Sequence, residues 1–218
     1  MDRIFAVFQR NDFISDLFIH IELSVLATLF GLLIALPVAI LVNRSDFGST
    51  LAINIGNLGR AVPSICILVL MLPVVGLGFD NALIALTLLA ISPILINAVV
   101  GLRQVSAQII DAAKGMGLST RQILSGIQLP IAAPIIFAGI RTSAVQVVAS
   151  ATLATFIGGG GLGNYIVEGF QRGDLYISMA GALVVAVLAI ITEVGFGTLQ
   201  RTFTPKGLRL AQARARAK

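Results

Sequence analysis

The sequence predicts an all-α, polytopic helical membrane protein with about five transmembrane helices. Three observations carry that prediction. Of 218 residues, 57% are hydrophobic and only 11% charged, a balance that few water-soluble domains show. Apolar runs long enough to cross a hydrocarbon core recur along the chain. Lysine and arginine cluster at the ends of those runs, mostly on one side. Residues 1–218 read as a single transmembrane domain, with no room for an attached soluble one.

Residues 1–20 mix charged and apolar side chains and predict a short amphipathic or irregular arm, with no cleavable signal peptide evident. The first span is predicted over residues 21–42, with Pro37 near its exit, and a plain turn over 43–49 follows. The second span begins with Asn54, Asn57 and Arg60 at steps of three. Pro63 should kink or interrupt it, and apolar residues continue to position 75. A tight turn at 76–80 leads to a third span over 82–102, which contains Pro93 and Asn97.

Residues 104–130 form a polar loop with too much pattern for a plain connector. Val105, Ile109, Ala112 and Met116 recur at helical spacing, giving a short amphipathic helix. Gly115 and Gly117 can end it, since glycine reaches the left-handed conformation without penalty. Ser119 followed by Gln122 reads as a capping box that opens a second helix, and Pro130 should break that helix. Two short helices bent around a glycine make a knob suited to docking in a groove on a partner.

The fourth span is predicted over 131–157 and carries Arg141, then Thr142, Gln146 and Ser150 at steps of four. The glycine run follows, then a less apolar stretch to 176. The fifth span, over 177–199, contains Glu193. Residues 201–218 form a strongly basic tail. With five spans, Arg44, Arg103, Lys114, Arg121 and the basic tail share one side; Arg3, Arg10 and Arg172 occupy the other. That asymmetry places the loop 104–130 and the C-terminus in the cytoplasm and the N-terminus outside. No internal repeat is evident, so an inverted-repeat secondary transporter gains no support.

The chemistry-bearing residues exclude more than they suggest. One histidine, one cysteine and few carboxylates supply no catalytic constellation and no metal site. Cys66 reads as a small buried apolar residue and His20 as an interfacial one. The net charge of +5 flanks spans and so points to membrane anchoring rather than to nucleic acid. Gly158, Gly159, Gly160, Gly161 and Gly163 lack the Lys-Ser or Lys-Thr of a phosphate loop; they read as a gate-side re-entrant or hinge loop, or as a flexible turn. Charges inside spans are costly, at roughly 2.5–3.5 kcal/mol each near the bilayer centre. Glu193 is therefore expected to pair with Arg60 or Arg141. The stripes Asn54/Asn57/Arg60 and Arg141/Thr142/Gln146/Ser150 could line a translocation path or bond neighbouring helices.

The polar loop also carries a family resemblance. Asp111-Ala112-Ala113, then Gly117, Ile127 and Leu129-Pro130, repeats the spacing of the cytoplasmic Glu-Ala-Ala motif of ABC importer permeases, with Asp in place of Glu. Ala61-Val62-Pro63-Ser64, Ser92-Pro93-Ile94-Leu95-Ile96-Asn97, Ala138-Gly139-Ile140-Arg141-Thr142 and Ala151-Thr152-Leu153-Ala154 resemble the osmoprotectant (glycine betaine/carnitine/choline) branch over about residues 20–200. The glycine run and the Asp-Ala-Ala loop alone would also suit methionine or phosphonate permeases.

The resemblance implies a multi-pass subunit of a bacterial or archaeal cytoplasmic membrane, working by alternating access. It implies no cofactor on this chain, with ATP and Mg on separate ATPase subunits. It also implies a second permease subunit, identical or related, and an extracytoplasmic solute-binding protein. On that reading Asp111, Ala112, Ala113, Gly117, Ile127, Leu129 and Pro130 couple ATP hydrolysis to transport. Rival classes are an ATP-independent channel or secondary transporter, a membrane enzyme and a membrane scaffold.

Overall fold

The computed structural model describes residues 2–203. Lys206, Arg209, Arg214, Arg216 and Lys218 of the basic tail lie outside them. Every regular element among the described residues is helical. Four long apolar helices, Phe13–Val42, Phe79–Arg103, Thr120–Ile157 and Leu175–Thr202, can each cross a membrane. The pair Asp46–Ala61 and Ser64–Val75, bent by 92° at its break, makes a fifth if taken as one broken span.

The arm is helical. α1 (Asp2–Phe8) lies against the last helix, and α2 (Phe13–Val42) starts well before the first predicted span. α2 divides by side-chain size. Ala27, Gly31, Ala35 and Ala39 recur every fourth residue and are buried, whereas Val25, Leu29, Phe30, Leu33, Ile34 and Leu41 are exposed. The small stripe lets α2 close on α6 (Phe79–Arg103): a Cβ at Gly31 would stand 2.6 Å from that of Ala90. Small residues allow such approach between membrane helices, where dispersion replaces the hydrophobic effect as the attraction.

α3 (Asp46–Ala61) is capped by Ser45, whose Oγ accepts from the Gly48 N–H at 2.9 Å. Val62 and Pro63 interrupt it in extended conformation, because the residue before a proline is driven out of the helical region. α4 (Ser64–Leu70) and the single turn α5 (Leu72–Val75) follow. Gly56 and Gly59 bring α3 against Ile96 and Ser92 of α6. α6 is therefore the central post, flanked by α2, α3 and α9 (Leu129–Ser150). Asn97 donates to the Pro93 carbonyl at 2.8 Å, and Gly139 of α9 packs on that turn. Ser143 ties α9 to α6 through the Ala90 carbonyl at 3.0 Å.

Pro130 does not break its helix. α8 (Thr120–Ile123) runs through a wide π turn over Leu124–Gln128 into α9. The Leu129 N–H reaches back to the Leu124 carbonyl, and Pro130 occupies the first turn of α9. The expected kink is absorbed by that wide turn just ahead of the proline.

α9 tightens into a 3-10 segment over Ala151–Ile157 before the glycine run. Beyond it come α10 (Gly163–Arg172) and α11 (Leu175–Phe203), which packs on α9 and α10. The buried residues form three clusters: one around Leu23, Leu86 and Ile157, one around Ile94, Leu102 and Ile136, and one around Phe13, Leu162 and Tyr165.

Candidate functional site

The knob at one end of the molecule is α7 (Ala107–Gly115) and α8. Ser106 caps α7, accepting from the Ile109 N–H at 3.4 Å. At the other end of α7 the Leu118 N–H bonds the Ala113 carbonyl at 3.2 Å, and the Gly117 N–H bonds that of Lys114 at 2.9 Å. This paired closure needs a left-handed residue, and Gly117 supplies it with φ +83°. The Ser119–Gln122 capping box forms, with the Ser119 N–H donating to Gln122 Oε1 at 2.8 Å. The turn between α7 and α8 is thus held by backbone bonds on the α7 side and by the capping box on the α8 side.

The apolar pattern of α7 splits differently from the simple periodicity. Val105 and Ala113 are buried against the body, while Ile109 and Met116 are exposed (45% and 73%), as is Ala112. The outward apolar stripe is what a partner would cover. Asp111 is exposed too, 3.4 Å from Lys114 Nζ. Ile127 and Leu129 are half-buried, and Leu129 joins the core through the cluster of Ile94 and Leu102. Pro130 is exposed.

At the other end, the glycine run is closely packed. A Cβ at Gly159 would stand 2.9 Å from that of Ala82, and one at Gly163 only 2.0 Å from the Thr152 carbonyl oxygen. Gly158, Gly160 and Gly161 have positive φ. Asp16 of α2 accepts from the Gly161 N–H at 3.3 Å and from Asn164 Nδ2 at 3.0 Å, and Thr155 bonds Asn164 in turn. Arg10 donates to both oxygens of Glu168 at 3.0 Å. That hydrogen bond raises the Arg10 guanidinium above its ordinary pKa, against the pull of partial burial. Arg172 reaches the same carboxylate at 3.1 Å. Together these bonds clasp the start of α2 to α10 and the glycine turn.

The intramembrane polar residues do not form one site. Arg141 of α9 and Glu193 of α11 make an ion pair, and the guanidinium packs over Gly197, where a Cβ would stand 3.6 Å from Cζ. Arg60 is exposed and makes no ion pair among the described residues. Asn54 and Asn57 are exposed on α3; on α9 Thr142 is exposed, Gln146 half-buried and Ser150 buried. Ser150 lies 3.3 Å from Ser64 across the α4–α9 contact, at the Pro63 break.

Two expectations need correction. His20 is buried inside the protein rather than interfacial, donating from Nε2 to the Val148 carbonyl at 3.0 Å. Cys66 is exposed on α4 instead of buried. Both follow from how helices pack, which a residue's place in an apolar run does not record. Residues that the sequence did not single out are Asp16, Asn164, Arg10 and Glu168. Asp16, Arg10 and Glu168 carried charge as their only signal, and Asn164 carried none.

The chain matches the family described as "Binding-protein-dependent transport system inner membrane component" over residues 13–206. It is 36% identical to the carnitine transport permease protein OpuCB of Listeria monocytogenes over 214 residues, covering 97% of this chain and 98% of that relative. It is 37% identical to the choline transport system permease protein OpuBB of Bacillus subtilis over 190 residues, covering 87% and 88%. It is 32% identical to the osmoprotectant import permease protein OsmW of Salmonella typhimurium over 215 residues, covering 96% and 100%. An inward-facing structure of the MetNI methionine ABC transporter superposes with a TM-score of 0.77 over 88% of this chain and 96% of that chain. At 23% identity that likeness is one of fold.

Proposed function

This chain belongs to the family of binding-protein-dependent transport system inner membrane components, and from that premise we propose that it is the membrane-spanning subunit of an ATP-driven importer for a small osmoprotectant such as glycine betaine, carnitine or choline. The family supports the importer role, and the names of the relatives support the solute class. The single structural observation that carries the coupling role is the knob. It is a rigidly closed helix pair that turns Ile109, Ala112 and Met116 outward at the end where the basic residues gather.

The mechanism we propose rests on the family and is supported by that geometry. An ATPase subunit on the cytoplasmic side receives α7 and α8 in a groove. Because α8 runs through α9 as one continuous rod to Ile157, displacement of the knob is transmitted directly along a span. α9 is also the helix that carries Thr142, Gln146 and Ser150. A second permease subunit, identical or related, completes the path between the two copies, and a binding protein delivers solute to the outer end. ATP hydrolysis resides on the partner, with the N-terminus of this chain outside and its C-terminus inside.

Uptake of labelled glycine betaine, carnitine and choline tests the reading in cells that lack their own osmoprotectant importers and express this chain with its ATPase and binding protein. ATP-dependent uptake is expected, and Gly117→Val should abolish it while ATPase activity persists. A complex that assembles and hydrolyses ATP but carries none of the three solutes overturns the solute class; methionine and phosphonates are then the next solutes to assay. Normal uptake by Gly117→Val overturns the coupling role of the knob.

A further inference from the structure

Arg60 is a cation without a counter-charge at the centre of the spans. A Cβ at Gly59, the residue before it, would stand 2.6 Å from Ser92 Oγ, and Ser92 lies near the midpoint of α6. Arg60 is exposed at that depth, as are Asn57 one turn earlier and Asn54 before it. A charge that faces lipid there is costly. The break just beyond Arg60 points the same way. Ala61, Val62 and Pro63 are exposed where α3 ends, and non-helical backbone at membrane depth is tolerated only against protein or along a water-filled path. Two independent features thus turn this face away from lipid.

Among the described side chains the molecule offers Arg60 no carboxylate. Asp46 pairs with Arg103 and Asp111 with Lys114 at the knob end. At the other end Asp12 and Glu168 hold Arg10, Asp16 holds the glycine turn, and Asp174 accepts from the Tyr176 N–H. Asp80 lies in the first turn of α6 at that same end. Glu193 is taken by Arg141. Glu22 remains, but the α2 residue level with the middle of α6 is Gly31, beside Ala90. Glu22 lies about 14 Å from Gly31 toward the glycine turn, at 1.5 Å per residue. A second copy related by an axis along the membrane normal would place every one of these groups at the same depth, so it supplies no partner either.

The counter-charge therefore comes from outside the chain. We propose that Arg60 receives the carboxylate of the solute as it crosses, and so favours carboxylated osmoprotectants such as glycine betaine and carnitine over choline, which has no carboxylate. A guanidinium holds a carboxylate through two parallel N–H···O bonds, and the exposed Asn57 amide lies one turn along the same face. This inference rests on the importer reading above and assigns one residue of the path its share of the selectivity.

The test is uptake of glycine betaine, carnitine and choline by the whole transporter, with wild type, Arg60→Gln and Arg60→Lys compared at measured yields of assembled complex. Arg60→Gln should lower uptake of the two carboxylated solutes at least about tenfold more than uptake of choline. Arg60→Lys keeps the charge without the planar fork and should fall between. An equal loss for all three solutes, or no loss, overturns the proposal. If Arg60→Gln does not assemble, Arg60→Lys must show the same split, and an equal loss there overturns it. Where the wild type carries a carboxylated solute but not choline, Arg60→Lys must recover part of the uptake that Arg60→Gln loses; no recovery overturns it. A wild type that carries choline alone overturns the role of Arg60 and leaves the importer reading standing. A wild type that carries none of the three overturns the solute class and this proposal together, before any variant is compared.

Discussion

The knob and the glycine turn are both built on glycine, at opposite ends of the molecule, and they differ in how closely those glycines are packed. Around Gly115, Gly117 and Gly126 an added Cβ would meet nothing within 4 Å; around Gly159 and Gly163 it would meet neighbouring atoms at 2.9 Å and 2.0 Å. In the knob glycine is chosen for backbone conformation, in a segment otherwise free to touch a partner. In the turn conformation and close approach are both required: Gly158, Gly160 and Gly161 have positive φ, Gly159 and Gly163 leave no room for a Cβ, and Asp16 clasps the segment through Gly161 and Asn164. A run of five glycines within six residues reads as freedom in one dimension; in three dimensions two of the five, Gly159 and Gly163, are packed too closely to admit a Cβ.

The sharpest way to break that comparison is Gly163→Ala. Its methyl group would overlap the Thr152 backbone oxygen, and backbone cannot swing aside as a flexible side chain can. The expected loss is at least about 3 kcal/mol, the upper end of overpacking costs, measured as a drop in the unfolding temperature of the purified transporter and in its yield. Wild-type stability would mean that the turn yields and is a hinge after all. The same change at Gly126, an open position, should leave yield nearly unchanged.

Next in size is the charged pair that spans α9 and α11. Removing Arg141 alone leaves Glu193 without its partner within a membrane-spanning helix, an unfavourable place for a lone charge. Arg141→Ala should therefore lower the yield of folded transporter more than Arg141→Ala/Glu193→Ala does. Equal losses would show that the two charges act separately. This contrast sharpens the distinction between ends and middle: the ends are held by glycine turns and side-chain clasps, while the α9–α11 charge pair can be deleted together.

Much of the fold was legible because its causes are local. The apolar runs, the break at Pro63, and the Ser119–Gln122 box each depend on residues within a few positions of one another. The departures have non-local causes. Pro130 was expected to end a helix, but a wide turn over Leu124–Gln128 absorbs it. His20 is buried because Val148 and Gly161 stand beside it, and Cys66 is exposed on α4, whose buried residue is Leu68. In the candidate site the motif spacing marked the knob, whereas which face of α7 points outward appears only once Val105 and Ala113 are seen buried. The clasp through Asp16 joins residues 145 positions apart, and no window of sequence contains it.

Asp16→Asn tests the clasp from the other partner. It keeps an acceptor for Gly161 and Asn164 but removes the charge that strengthens both bonds. A loss of about 1 kcal/mol is expected, read as faster hydrogen exchange over residues 158–164 with unchanged exchange in the knob. Exchange that rises equally at both ends would mean that the two regions are not independent.

The smallest expected effect belongs to Ser119→Ala. Its hydroxyl caps α8 by accepting from Gln122 N–H at 3.4 Å, a long bond, and the Gln122 side chain still caps the Ser119 N–H at 2.8 Å without it. Loss of an N-cap typically costs about 0.5–2 kcal/mol, and here the lower end applies, since half of the box survives and α8 continues directly into α9. Because α8 and α9 form one rod, loosening its first turn should blunt the transmission of force more than it lowers stability. The expected outcome is an unfolding temperature within error of wild type together with fewer solute molecules carried per ATP hydrolysed. If the ratio is unchanged, α8 follows the partner passively and the closure at Gly117 alone carries the coupling.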